Sequence, residues 1–107
     1  MNVLHDQILA FLLGLPLFKD VIVAEGKLEV GVLKRKEIIS LYKLRLEIAV
    51  EKSNEIGIKL CSDVVEKISR MNGVKLYSIS YKVDNREITG FIDEHLKEIY
   101  IFSSQIP

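Results

Sequence analysis

Asp93, Glu94 and His95 stand side by side in a polar stretch, and His5 is the only other histidine of the 107 residues. Carboxylates and imidazoles are common metal ligands. Three consecutive loop residues nevertheless make poor geometry for a metal unless further ligands arrive from elsewhere. The expectation is a solvated turn and no metal. Cys61 is the one cysteine, which leaves no intrachain disulfide and no cysteine-rich metal site. Near a helix N-terminus a thiolate is favoured, but no histidine is placed beside Cys61. A small buried residue is the expected role.

Glu47, Glu51 and Glu55 recur every four residues. Paired acid–base catalysis needs two groups converging on one substrate, whereas one helical ridge aims its side chains the same way. A solvated face is expected. Gly26 and Gly31 fit neither nucleotide-binding fingerprint, and no cofactor is expected. Tyr77, Tyr81, Phe91, Tyr100 and Phe102 fall in strand-like runs, where aromatics pack across neighbours. A base-stacking platform would need a basic groove around them. With these constellations set aside, the chain is expected not to be an enzyme.

The totals point the same way. Fifteen basic and fifteen acidic residues cancel, so no global field draws the chain to nucleic acid or anionic lipid. At 49% hydrophobic and 28% charged residues, one soluble domain spanning 1–107 is expected. The apolar run ILAFLLGLPLF at 8–18 is too short to span a bilayer, and His5 and Asp6 stand where a signal peptide carries basic residues. A cytoplasmic protein without a membrane span is expected.

The elements follow from periodicity and punctuation. Residues 3–13 read as a helix stopped by Gly14 and Pro16, apolar around most of its circumference and so covered on more than one side. DVIVAEGKLEVGVL at 20–33 reads as two strands joined at Glu25-Gly26.

The stretch YKLRLEIAVEKSNEIGIKL at 42–60 carries two periods at once. Leu44, Leu46, Ile48 and Val50 alternate like a strand, yet no Gly or Pro interrupts 34–56. Its good helix formers and its length decide for a helix. At about 100° per residue, Ile38, Ile39, Tyr42, Leu46, Ala49, Val50, Ser53 and Ile56 form one broad face. Leu41, Leu44 and Ile48 form a second stripe roughly opposite.

One straight helix over 36–72 would run about 55 Å, too long for a domain whose radius of gyration is near 13 Å. A break near Gly57 is therefore expected, with Ser62 or Asp63 capping a further helix that ends at Gly73. Strands follow at 74–83, 86–92 and 97–102. The continuous apolar runs VIVA and IYIF suit central strands, while LEVGV and LYSISYK suit flanking ones.

This order, with VIVAEGKLEVGV as a first hairpin and YSISYKVDNREITGFIDEHLKEIYIF as a meander, resembles the roadblock (dynein light-chain) family and the wider profilin- and longin-like group. The resemblance implies an α+β fold with a five-stranded, mostly antiparallel sheet, a long crossing helix, and the first and last strands together at the sheet centre. It also implies a homodimer formed through the crossing helix, which would give Leu41, Leu44 and Ile48 a partner. Such a dimer would be a non-catalytic scaffold or regulator of other proteins, such as a small GTPase or a motor, cytoskeletal or filament component.

The alternative is a winged-helix DNA binder, with 62–72 as recognition helix and a wing tipped at Asp84-Asn85. Lys67 and Arg70 are offset there by Asp63 and Glu66, and Lys34, Arg35 and Lys36 are the only basic run. Nucleic acid is not the expected partner.

Overall fold

KLYSISYKV and REITGFID read as strands, whose successive side chains take opposite faces of a sheet. In the computed structural model, which describes residues 3–16, 18 and 26–105, both segments are inner strands. The order is α1 (Val3–Leu13), β1 (Lys27–Lys34), α2 (Arg35–Glu51), α3 (Glu55–Arg70), β2 (Lys75–Val83), β3 (Arg86–Asp93) and β4 (Ile99–Gln105). The described strands form one antiparallel sheet in the order β1-β2-β3-β4. The α+β class is as expected; the sheet of described residues has four strands, not five.

The strand expected at 21–24 lies outside the described residues. IYIF, expected at the centre, is in β4, which among the described residues pairs only with β3. LYSISYK, expected to flank, is in β2 and sits between β1 and β3. Its apolar set faces α1, while on the other face Leu76 enters a core and Ser78 and Ser80 are only half-buried, so the mixed alternation is that of an inner strand with one fully covered face.

One sheet face carries Ile79, Tyr81, Val83, Ile88 and Ile92, buried against Ile8 and Leu12 of α1 and against Phe18. Burying each such side chain stabilises the fold by about 1.5–3 kcal/mol. Only one side of α1 is covered in this way: Val3 and Leu13 are exposed. Among the described residues the broader covering expected from its composition is not seen.

The other face carries Leu76 and Phe91, which form a second core with Ile38 and Tyr42 of α2 and with Cys61, Val64 and Ile68 of α3. Tyr42 meets Phe91 and Phe102 edge-on, with centroids 6.5 and 6.4 Å apart, while Phe91 and Phe102 stack at 5.1 Å. Phe102 lies on the same face of β4 as Tyr100, beside the point where the β3–β4 register slips between Thr89 and Gly90. A Cβ at residue 90 would lie 2.5 Å from the Tyr100 carbonyl oxygen, so only glycine admits this close approach.

Residues 44–50 are helical, as the punctuation argument requires. The break, however, falls at Lys52–Asn54 and not at Gly57. Ser53 N–H donates to the Val50 carbonyl and Asn54 N–H to the Ala49 carbonyl, at 3.1 and 2.9 Å, with Ser53 at φ 53°. This is a Schellman closure with serine in the left-handed position usually held by glycine. Asn54 caps α3 by accepting from Gly57 N–H at 3.1 Å, as a side-chain amide at the N-cap does. The caps expected at Ser62 or Asp63 are thus interior residues, and the helix ends at Arg70 rather than Gly73.

Candidate functional site

Turning the chain at 52–54 folds α2 and α3 into an antiparallel hairpin over one end of the sheet. Arg35 locks the hairpin's base: its guanidinium donates to the Ser69 and Met71 carbonyls at 3.3 and 2.9 Å. Because α2 begins directly at the end of β1, strand and helix diverge from a common hinge. Ile38 and Tyr42 reach the sheet. Further along α2 the two surfaces part.

The resulting wedge is an open groove of about 490 Å³. Leu33, Ile38, Leu41, Tyr42, Phe91 and Phe102 make its apolar inner end and walls. Its floor is small and polar, with Gly31, Ser78, Ser80 and Thr89 in cross-strand register. Gly31 matters here: a Cβ at that position would lie 2.6 Å from the Ser78 hydroxyl. Arg45 stands at the mouth, its guanidinium carbon 5.0 Å from the Tyr42 ring centroid, a cation–π contact. On the floor Glu29 pairs with Lys27 at 3.5 Å. The groove joins residues from α2 and all four strands, so no local motif could announce it.

Beside the groove runs the second stripe of α2. Leu41, Leu44 and Ile48 are 45%, 54% and 43% exposed, and Leu41 belongs to both the stripe and the groove wall. On the helix the stripe flanks the buried face centred on Ile38, Tyr42 and Ala49 instead of opposing it. Val50, assigned to the broad face, is also exposed. So is Ile56, which the turn moves onto α3.

The other candidate residues are not brought together. Glu47 and Glu51 are exposed on α2 and Glu55 on α3, so the ladder of three is split by the turn. Cys61 is buried six residues into α3, away from its N-terminus, in the core formed with Ile38, Tyr42 and Val64. Tyr77 and Tyr81 belong to the α1 side of the sheet and Phe91, Tyr100 and Phe102 to the other; they share no platform. Of the basic run 34–36, Arg35 turns inward to hold α3.

Asp93 departs most from expectation. It is 1% exposed, and its carboxylate accepts from the backbone N–H groups of Lys97 and Glu98, both at 2.7 Å, and of His95 at 3.3 Å. Glu94 accepts from Val74 N–H at 2.7 Å. These carboxylates are spent on shaping turns. Among the described residues no group of three or more His, Cys, Asp and Glu is placed to hold a metal. None of the described helices is long and apolar enough to cross a membrane. No protein-family model, curated protein or solved structure matches the chain.

Proposed function

We propose that this chain is a non-catalytic protein-binding module that acts as a homodimer, with Leu41, Leu44 and Ile48 of α2 as the contact between copies. The observation that carries the reading is that these three side chains stay about half exposed on a helix whose other apolar face is already buried. Grouped apolar surface of this kind marks an association site. A second copy is the simplest occupant, since a twofold contact matches one ridge with itself.

A stable interface removes about 1,200–2,000 Å² of surface in total. The ridge can recruit a neighbour toward that area, because Leu33, on the same side of the adjoining β1, is also exposed. A scaffold or regulatory role toward another protein, of the small-GTPase, motor or filament class, rests on the roadblock-like order of elements. Sedimentation equilibrium at micromolar concentration tests the dimer: twice the chain mass is expected, and the mass of a single chain would overturn the reading.

A further inference from the structure

The geometry points to a second property: we propose that the groove between α2 and the sheet binds a small carboxylic acid with an aromatic or branched apolar body. It goes beyond the dimer, because the groove lies within one chain.

The shape sets the size of the ligand. At about 490 Å³ the groove falls within the range of small-molecule sites. It is blind at one end, where α2 leaves β1 at Lys34–Arg35 and the Ile38–Leu76–Phe91 core fills the space. An extended peptide needs a channel open at both ends, whereas a compact molecule fits a cul-de-sac.

The chemistry of the walls sets its class. The inner end offers aromatic and aliphatic carbon from Phe91, Phe102, Ile38 and Leu33, a surface for a flat or branched apolar body. Arg45 lies seven residues from Ile38 on the same face of α2, about 10 Å toward the mouth. Among the described residues it makes no ion pair, while the groove's own carboxylate, Glu29, is already engaged by Lys27. The uncompensated charge at the mouth is thus positive, and a planar guanidinium suits a carboxylate. Ser78 sits on the floor with its hydroxyl beside Gly31, placed for a polar substituent midway along the ligand.

The test is a pair of probes, 2-naphthoate and neutral 2-naphthamide, titrated against the isotopically labelled chain by NMR. Saturable shifts are expected at Gly31, Ser78, Arg45 and Phe91, with naphthoate bound about fivefold more tightly than the amide, the scale of an exposed ion pair. Arg45→Gln should erase that preference, so that naphthoate binds no more tightly than the amide. Ser78→Leu, which fills the floor, should weaken both probes. Absence of saturable shifts, equal affinities for the two probes in the unaltered chain, or shifts centred outside the groove would each overturn the proposal. Arg45 is exposed on the surface of α2, so its variant decides the matter even if Ser78→Leu fails to fold.

Discussion

The guanidinium of Arg35, the first residue of α2, donates at 2.9 Å to the carbonyl of Met71, the residue that closes α3. One side chain therefore ties the start of one helix to the end of the next, where unpaired carbonyls and the negative end of the helix dipole favour a cation. Arg35→Ala should destabilise the chain by about 1 kcal/mol in urea unfolding. Arg35→Lys should recover only part of this, because a flexible ammonium is less firmly oriented than the planar guanidinium whose Nη1 serves both carbonyls.

The turn between the helices gives a pair of opposite effects. Ser53 holds φ 53°, a conformation that costs a residue with a Cβ about 1 kcal/mol. Ser53→Gly should raise stability by roughly that amount. Asn54→Ala removes the bond to Gly57 N–H and should lower it by about 1 kcal/mol. Thermal unfolding followed by circular dichroism reads both signs.

The ridge prediction separates association from folding. Leu44→Asp and Ile48→Asp each place a charge where a second copy would bury it, and should weaken pairing by about tenfold or more. Both positions are exposed within one chain, so the helical signal should persist. Loss of that signal would show that these residues support the fold itself.

Tyr100 supplies a pH dependence. Its phenol is pushed above the ordinary value of 10.0, first by burial, then by the carboxylate of Asp63 and by Tyr42. The unfolded chain then loses this proton at lower pH than the folded one. Stability from Tyr100 is full below pH 10 and falls as pH rises through the folded value. Tyr100→Phe should flatten this part of the alkaline loss, and absorbance at 295 nm should show one phenolate step above the ordinary value disappear.

Asp93 should prove structural. Asp93→Ala strands the three N–H groups it accepts from and should cost about 3 kcal/mol. Asp93→Asn should retain part of this, since an amide oxygen still accepts. Urea midpoints compare the two variants, and a larger loss of stability in Asn than in Ala would contradict the role.

The helix over 35–51 was legible because periodicity, helix propensity and missing punctuation agreed over five turns. Its end was not. Sequence signals look for glycine in a left-handed closure, and here Ser53 takes that place while Gly57 lies in the first turn of α3, packed against Asn54 and Ala49. The turns of the meander were legible at Asp84-Asn85. The role of Asp93 was hidden, because nothing local distinguishes a solvated aspartate from one buried against three donors.

Chain order, helix against strand over 44–50, and the grouping of Leu41, Leu44 and Ile48 were determined by the sequence, because these depend on neighbours within a few residues. Tertiary structure alone decided that the Leu41–Leu44–Ile48 stripe stays open, that Arg35 turns inward, and that Gly31, Ser78, Tyr42 and Arg45 line one groove. Those relations join residues distant along the chain, and their packing decides them.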